Sequence, residues 1–432
     1  MEARFSRPGV RWVFLAGVFA VAGALAFSGG RIALANHYAA GETSEGLGRA
    51  AHLEPGNAEH WYFLGRNWQY NFDQPDLPLA ISYYQRALAL DPRSANTWMD
   101  LAGAREAQGD TAQAREAFEQ AQKAHPISAD VAWRYANFLL RQGEIRQAYS
   151  QVRRAVAEDP NRAAAAVSVC WRANPNIEMI LDQALPRSAA VYLEAIRFLS
   201  NEHEGSSALA VWKRLAELHP RIELKTVFPL LDELFVEDSI PEARSVWEQA
   251  VEMAGITPSA PSDGSLVWDG GFEGDFIPGG FGWRWRPDPG VQFTFDREKK
   301  HSGGRSLRIT FDGTENLNFT HLFQYVPVQP GKTYQFSAYV KTEEITTNRG
   351  LCFAVFDSRN PGATGRLTPD LTGTQPWTRL ELSFTAGSDT RLETVVLRRI
   401  PSEKLDNKLR GTVWVDDVAV VPLELGPKRP AP

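Results

Sequence analysis

Residues Ala95–Pro126 read ANTWMDLAGAREAQGDTAQAREAFEQAQKAHP, and this stretch decides the fold of the middle of the chain. Trp98, Leu101 and Ala102 lie on one face of a predicted helix, because residues three and four apart share a helical face. A Gly109–Asp110 break ends that helix, and a second apolar periodicity follows it up to the closing proline. The stretch therefore predicts a helical hairpin.

The same pattern returns along the chain at a period of 34 residues. The closing prolines follow one another at spacings of 37, 34 and 34 residues, and they are Pro55, Pro92, Pro126 and Pro160. One hairpin cannot bury its apolar face alone, so it needs neighbours that stack on it. A repeat of this length therefore predicts a solenoid of hairpins.

The residue types within each period resemble those of tetratricopeptide repeats (TPRs). In the first clear repeat the matching positions are Trp61, Leu64, Gly65, Trp68, Ala80, Tyr84, Ala87 and Pro92. Small residues at some of these positions let the two helices approach closely, and large residues fill the gaps. The resemblance implies an α-solenoid over residues 36–255, with clear repeats at 58–92, 95–126 and 129–160 and degenerate repeats over 161–255.

The resemblance to TPRs also implies a concave groove that docks a protein partner. Several of its positions carry large side chains that the core of the repeat does not need. Such side chains are suited to contacting an extended peptide. They include Tyr62, Arg66, Tyr70, Met99, Trp133 and Asn137. The alternative is that a neighbouring helix or the N-terminal segment covers some of them.

A basic flank precedes an apolar run at the N-terminus. Arg4, Arg7 and Arg11 come before a charge-free run from Trp12 to Gly30, whose core is sixteen apolar residues long. A spanning helix needs about 20 residues, and a signal-peptide core has about 7–15. The arginines favour an uncleaved signal anchor that comprises residues 1–35. Such an anchor leaves the rest of the chain on the exported side of the membrane, periplasmic or extracellular.

Two alternatives to the anchor remain open at this point. Small residues at Ala24-x-Ala26 and Ala33-x-Ala35 are typical of processing sites, so the segment could be a cleaved signal peptide of a secreted protein. The run could also be a buried helix of a soluble protein, although the clustered arginines argue against that.

The sequence period changes to two after a Pro- and Ser-rich linker at 256–265. The segments Tyr334–Lys341, Arg379–Ala386 and Thr412–Val420 alternate apolar and polar residues, and turn signals separate them. Short strands at this spacing predict an antiparallel β-sandwich over 266–424, followed by a disordered tail at 425–432. The predicted fold class is therefore multidomain α and β, with an N-terminal transmembrane or signal helix, an α-solenoid and a C-terminal sandwich.

Four landmarks occur in this part of the chain. They are WDGGFE (268–273), HSGGRSLRI (301–309), VPVQPGKTYQFSAYVK (326–341) and GTVWVDDVAV (411–420). Together, in this order, they resemble the carbohydrate-binding modules of families 4 and 9. The resemblance implies a galactose-binding-like jelly roll with one structural calcium. The matching ligands are Glu273, carbonyls of the loop at 300–304, and either Asp416 or Asp417, because neighbours in a strand face opposite sides. The alternative is that these acids only cap a sheet end.

Aromatic side chains are the candidates for binding a polysaccharide or glycan. The C–H faces of sugar rings pack on exposed aromatic planes, and their hydroxyls pair with polar neighbours. The candidates are Trp285, Phe319, His321 and Tyr325. Phe319, His321, Phe323 and Tyr325 share one face of a predicted strand, and Trp285 is expected in a solvent-exposed loop. An aromatic stripe in a sandwich more often belongs to the core than to a site, and this alternative applies to Phe319, Phe323 and Tyr325.

Other classes of function find no support in the residues. The net charge of −6 gives no reason to propose a nucleic acid as partner. Cys170 and Cys352 are the only cysteines, which allows free thiols or one interdomain disulfide. We find no HExxH, GxSxG or phosphate-loop motif, so we expect no enzymatic activity.

The expected function is a non-enzymatic, membrane-anchored scaffold outside the cytoplasm. Its TPR array would dock a protein partner, and its sandwich would bind a polysaccharide or envelope glycan. One alternative is a structural assembly subunit whose sandwich binds protein and no sugar. Another is an accessory part of a carbohydrate-active enzyme system. A carbohydrate-active enzyme itself would need a cleft with paired acids.

Overall fold

The computed structural model describes residues 8–71, 75–257, 264–360 and 365–423. The chain divides into two compact units, Met1–Pro186 and Arg187–Pro432. Arg4, Arg7, most of the predicted linker and the whole predicted tail lie outside the described residues.

The first helix, α1 (Pro8–Ala39), carries the apolar N-terminal run. It is the one helix in the described ranges that is long and apolar enough to cross a membrane, and none of its apolar window is buried. Trp12 is 73% exposed and Phe19 is 74% exposed. The alternative of a buried soluble helix is therefore wrong, while an anchor and a signal sequence both match this finding.

Regular hairpins follow α1 within Met1–Pro186. The helices are α2 (Ser44–Leu53), α3 (Ala58–Gln69), α4 (Leu77–Leu90), α5 (Ala95–Ala107), α6 (Thr111–Ala124), α7 (Ala129–Arg141) and α8 (Ile145–Glu158). Side chains of Asn57, Ser94, Asp110 and Ser128 cap the helices that follow them by accepting backbone N–H bonds. The α-solenoid prediction is confirmed.

Two features of the repeat explain its residue pattern. The indole of Trp61 donates to the carbonyl of Pro55 at 3.0 Å, and the indole of Trp98 donates to the carbonyl of Pro92 at 2.9 Å. Each closing proline is therefore tied to the next hairpin. A Cβ on Gly65 would lie 2.8 Å from the ring of Tyr84, so only glycine lets the two helices approach this closely.

The regular pattern ends after Pro160. The next helix is α9 (Ala163–Ala173), followed by the short α10 (Ile177–Met179) and a π-helical turn over Ile180–Ala184. Cys170 is a free, buried thiol in this segment, and Cys352 in the sandwich is also free and buried. The disulfide alternative is therefore not observed.

The second unit, Arg187–Pro432, begins with two further hairpins. They comprise α11 (Ala189–Asn201), α12 (Gly205–Ala216), α13 (Phe228–Val236) and α14 (Ile240–Ala254). The sandwich follows with β1 (Arg284–Trp285), β2 (Val291–Asp296), β3 (Ser306–Asp312), β4 (Phe319–Pro327), β5 (Thr333–Ile345), β6 (Cys352–Asp357), β7 (Arg366–Leu367), β8 (Gly373–Thr385), β9 (Leu392–Arg399) and β10 (Arg410–Pro422).

The strands form two sheets of five strands each in the described part of the chain. Sheet A has the order β1-β4-β9-β6-β7, and sheet B has the order β2-β3-β10-β5-β8. All pairings are antiparallel, which confirms the predicted two-sheet sandwich. Alternate side chains of both sheets meet in one core, where Phe336 of sheet B lies 5.0 Å from Phe353 of sheet A between ring centroids.

Within this second unit, α13 and α14 pack directly on the sandwich. Trp247 meets Trp268 edge-on at 5.2 Å, and Phe235 meets Phe281 edge-on at 5.1 Å. Gly280 has φ +53°, and a Cβ there would lie 2.4 Å from the ring of Trp247. The aromatic side chains of the last hairpin therefore share an interface with the sandwich, which the sequence pattern did not reveal.

Candidate functional site

A β-bulge in β4 decides which of its aromatic side chains face outward. The pairing of β4 with β9 shifts register between Phe319 and Leu322. Because of this shift, Phe319 and Leu322 both lie in the core, whereas Phe323 and Tyr325 pack on the opposite face of sheet A. The prediction of one continuous aromatic stripe on β4 is therefore wrong.

Two of the predicted sugar-binding rings are engaged by the protein itself. Phe319 is fully buried, with its ring centroid 5.3 Å from that of Phe311 and 6.3 Å from that of Phe293. Trp285 stacks on Phe276 at 3.7 Å and on Phe293 at 5.0 Å. It is half-buried against the core and does not lie in a solvent-exposed loop. The structure therefore contradicts the assignment of Phe319, whose ring is enclosed in the core. Trp285 keeps part of its surface exposed, and its role in sugar binding stays a prediction.

The other two predicted residues have different surroundings. The Nε2 atom of His321 lies 3.0 Å from the Oδ2 atom of Asp288, and its ring packs 5.2 Å from Phe319. His321 does not line the cleft described below. Tyr325 does line it, because the bulge turns this ring outward. Tyr325 is thus a predicted sugar-binding aromatic residue that does line the cleft.

The outer face of sheet A carries a cleft of about 400 Å³. Its floor combines the rings of Phe323, Tyr325 and Phe356 with hydroxyl, amide and guanidinium groups. The lining residues are Arg286, Asn318, Thr320, Phe323, Tyr325, Phe356, Ser358, Thr394, Val396 and Arg398. This mixture of aromatic planes and hydrogen-bonding groups is the chemistry that a sugar ring requires.

The lining residues of β6 and β9 were missed by sequence reasoning. Phe356 and Thr394 face each other across the paired strands β6 and β9, and the hydroxyl of Ser358 lies 2.8 Å from that of Thr394. These strands are far from β4 in sequence, so only the strand order of sheet A brings them together. No local motif could have identified them.

Arginine side chains lie over the rings of this face. The guanidinium carbon of Arg284 is 4.7 Å from the centroid of Tyr325, and that of Arg286 is 5.2 Å from the centroid of Phe323. Burial lowers the pKa of Arg284 from its ordinary value, and the nearby Asp232 carboxylate opposes this effect. Arg284 pairs with Asp232 at 3.3 Å, so its charge is already balanced.

The end of α13 forms a wall beside the cleft. Phe235 meets Tyr325 edge-on at 5.4 Å, and Val236 is 79% exposed next to it. These residues line an adjoining depression of about 630 Å³ together with Arg286 and Trp285. The candidate site is therefore built from both the sandwich and the last helical hairpin of the same compact unit.

The three acids predicted as metal ligands lie in one corner of the sandwich. Asp416 accepts the backbone N–H groups of His301 and Ser302, and Asp417 accepts the hydroxyl of Ser302 and faces the imidazole of His301. Glu273 accepts the N–H of Gly304 at 2.7 Å. Burial raises the pKa of Asp416 to about 6, while the N–H donors oppose this rise.

This donor set does not fit a calcium ion as arranged. Calcium needs six to eight oxygen ligands with free lone pairs, whereas the loop at 301–305 turns N–H groups toward these carboxylates. Within the described ranges, no three His, Cys, Asp or Glu side chains form a group that could hold a metal. Calcium binding stays a prediction, and the hydrogen bonds argue against it.

The predicted protein-binding groove is centred on a residue that sequence reasoning missed. Asp100 is buried, and its carboxylate accepts the hydroxyl of Tyr62 at 3.0 Å and the guanidinium of Arg134 at 2.8 Å. Arg66 lies 3.5 Å from the same carboxylate. Burial, followed by the charge of Asp100, raises the pKa of Tyr62 to about 12. The groove therefore holds a network of charges that spans three hairpins.

The remaining predicted groove residues differ in how accessible they are. Tyr70 is 57% exposed, with the guanidinium of Arg66 5.9 Å from its ring centroid. Trp133 is half-buried, and the Asn137 amide donates to its carbonyl at 2.9 Å. Met99 is buried against the neighbouring hairpin, in a cluster with Ala121 and Val131. The assignment of Met99 to the groove is wrong, because the next hairpin covers it.

The two carboxyl groups with strongly raised pKa values do not form a catalytic pair in the described cleft. Burial raises the pKa of Glu393 to about 7 and that of Asp416 to about 6. Glu393 is in β9 of sheet A and Asp416 is in β10 of sheet B, and neither lines the cleft. A glycosidase needs two carboxyl groups that face each other across bound sugar.

Comparison with family models finds two matches. Residues 105–169 match the model described as tetratricopeptide repeat, and residues 264–398 match the model described as carbohydrate binding domain. Both resemblances inferred from the sequence are thus confirmed, and both models describe binding modules. A comparison with curated proteins found no match.

Several solved structures are similar to parts of this chain. YrrB, described as a TPR protein with an unusual peptide-binding site, is 14% identical and covers 49% of this chain and 94% of its own, with a TM-score of 0.26. A CBM4 structure is 18% identical over 36% of this chain and 99% of its own, with a TM-score of 0.28. PilF of Pseudomonas aeruginosa is 18% identical over 53% of this chain and 92% of its own, with a TM-score of 0.27.

Proposed function

We propose that this chain is a non-enzymatic scaffold, anchored in a membrane with its folded part on the exported side. The cleft on sheet A binds a polysaccharide or envelope glycan, and the TPR array docks a protein partner. The observation that carries the proposal is the outward-facing cleft on a module similar to carbohydrate-binding domains, with rings and hydrogen-bonding groups in one depression.

The sugar-binding role is supported by partly exposed rings. Tyr325 and Phe356 are only half-buried, whereas the rings on the inner face of sheet A are fully packed. A half-buried ring beside hydroxyl groups leaves part of its surface accessible to a ligand. The competing possibility is a structural subunit whose sandwich only packs on protein, and it would not require this polar lining.

The test is glycan binding by the full chain in detergent. We expect Tyr325→Ala and Phe356→Ala each to weaken binding about tenfold, since removal of a central aromatic contact costs on the order of 1–2 kcal/mol. Tyr339→Ala is the matched control, because Tyr339 lies on the outer face of sheet B. Equal loss in all three variants, or no glycan bound by the wild type, would remove the sugar-binding proposal.

The protein-binding role is supported by the groove around Asp100. Tyr70 and Arg66 leave an aromatic and a cationic group accessible beside a buried carboxylate, which suits an extended peptide. A photo-crosslinking residue placed at Tyr70 should capture one discrete partner in cells. The same residue placed at the exposed Glu116 on α6 is the control, and equal capture there would contradict a groove-specific partner.

Retention of the N-terminal helix is supported by its last turns. Ala35 is fully buried, and Tyr38 contacts Gly46 and Arg49 of α2. Ala39 packs against the buried cluster that includes Leu47 and Trp61. Cleavage after Ala35 would therefore cut a helix that belongs to the fold. We expect the mature protein to keep its N-terminus and to fractionate with membranes, and intact mass would reveal cleavage.

A further inference from the structure

The charge of the cleft on sheet A differs from that of the whole chain. The chain carries a net charge of −6. The cleft is lined by Arg286 and Arg398 and by no carboxylate of the described residues. A guanidinium without a carboxylate partner in a cleft attracts ligands that carry negative charge, so the sign of this lining favours an acidic ligand.

Arg286 is the arginine of this face that is available to a ligand. Its backbone N–H donates to the carbonyl of His321 at 2.8 Å, which fixes the main chain at the rim. Its exposed guanidinium lies against the ring of Phe323, and no Asp or Glu of the described residues pairs with it. Stacking on a ring holds the planar group while its N–H donors stay free.

The nearby carboxylates are already paired with other groups. Asp288 faces His321 at 3.0 Å, Asp232 pairs with Arg284 at 3.3 Å, and Asp238 pairs with Arg391 at 2.8 Å. Arg284 and Arg391 offset the charges of Asp232 and Asp238, and none of the three acids forms an ion pair with Arg286. The positive charge at the rim is therefore not cancelled by the wall that α13 contributes.

The neighbouring groups complete a site for a sugar that carries an acid. Tyr325 and Phe356 offer ring planes for the C–H face, and Thr394 and Ser358 offer hydroxyl groups. A guanidinium binds a carboxylate through two parallel N–H bonds, which fixes both distance and orientation. A uronic acid presents these two features, an apolar ring face and a carboxylate, on one residue.

We propose that the cleft on sheet A selects acidic polysaccharides whose sugars carry carboxylates, and that Arg286 binds the carboxylate. The inference rests on the proposed sugar-binding function and goes further by naming the ligand class. Arg286 acts as the specificity-determining residue, while the aromatic floor supplies binding that acidic and neutral sugars share.

The test compares each acidic polysaccharide with its own carboxyl-reduced form, using the full chain in detergent. The probes are polygalacturonate, alginate and hyaluronate. We expect at least one to bind about tenfold to hundredfold more tightly than its reduced form, since a hydrogen bond to a charged group contributes on the order of 1.5–3 kcal/mol. Arg286→Gln should remove this preference and keep the weaker binding of the reduced form.

The matched control and the contrary results separate the two proposals. Arg379→Gln changes an exposed arginine on sheet B and should leave the preference intact. Equal binding of the acidic and reduced forms would overturn the acidic ligand and keep sugar binding. A preference that survives Arg286→Gln would overturn the assignment of Arg286 as the specificity-determining residue. Dextran sulfate bound as tightly as the best polyuronate would overturn the carboxylate assignment. Failure to bind any acidic, reduced or neutral glycan would overturn both proposals.

Discussion

Glu393 should make the stability of the sandwich fall as the pH rises. Its side chain is 1% exposed on β9, one carboxylate oxygen has no hydrogen-bond partner, and Arg366 lies 3.6 Å from the other. Burial raises its pKa from 4.5 to about 7. A carboxyl group with a raised folded-state pKa favours folding in its protonated form, so this contribution is complete below pH 4.5 and is lost as the pH rises through 7.

The size of the effect follows from the shift. A difference of about 2.5 pKa units corresponds to roughly 3 kcal/mol between the two limits. Glu393→Gln removes the titration, so the free energy of unfolding of the variant relative to wild type should rise by roughly 3 kcal/mol between pH 4.5 and pH 8. The new amide donor has a cost of its own, but that cost is the same at both pH values and cancels in the comparison.

The assay uses the buried thiol of Cys352 on β6, the strand next to β9. In a Cys170→Ser background, its reaction with dithiodipyridine in increasing urea reports unfolding of the sandwich in the full chain. Glu381→Gln, at an exposed position of β8, is the control and should show the wild-type pH dependence. A parallel loss of stability in Glu393→Gln and wild type between pH 4.5 and pH 8 would contradict the raised pKa of Glu393.

Three further predictions concern the packing of α14, the acidic corner and the groove. Gly280→Ala should lower the free energy of unfolding reported by Cys352 by about 2 kcal/mol more than Gly331→Ala does. Both glycines have positive φ, but only a Cβ at Gly280 would meet a ring, that of Trp247. Equal losses in the two variants would contradict the packing of α14 on the sandwich. Calcium should leave the melting temperature of the full chain unchanged relative to excess chelator. A rise of several degrees would show that the acidic corner binds calcium. Asp100→Asn should destabilise the array by about 1–3 kcal/mol through the lost charge of a buried acceptor, measured by thiol reactivity of Cys170 in a Cys352→Ser background; an unchanged urea midpoint would show that the network contributes nothing.

The helical part could be predicted from the sequence because its signals are local. The Trp-to-Pro bonds of Trp61 and Trp98 join residues six positions apart, and caps such as Ser94 act within three residues. Asp100 escaped notice because its partners, Tyr62 and Arg134, lie in neighbouring hairpins. Local periodicity shows which face a residue occupies and does not show what the next hairpin places against it.

In the sandwich, the strands could be predicted from local signals, but the face that each side chain occupies could not. Its strands could be predicted from period-two alternation, but the bulge between Phe319 and Leu322 reversed the assignment of faces along β4. One extra residue moves every later side chain to the other side of the sheet, and no pattern in the strand announces it. Phe356 and Arg398 join the cleft only through the strand order of sheet A, which non-local pairing decides.

Hydrogen–deuterium exchange of the full chain, with and without the glycan that it binds most tightly, would locate the glycan site. We predict slower exchange in peptides from β4, β6 and β9 of sheet A, which carry the rings and hydroxyl groups of the cleft. Peptides from β3 and β10 of sheet B should exchange at unchanged rates. Protection confined to sheet B or to the TPR array would contradict the assignment of this cleft as the glycan site.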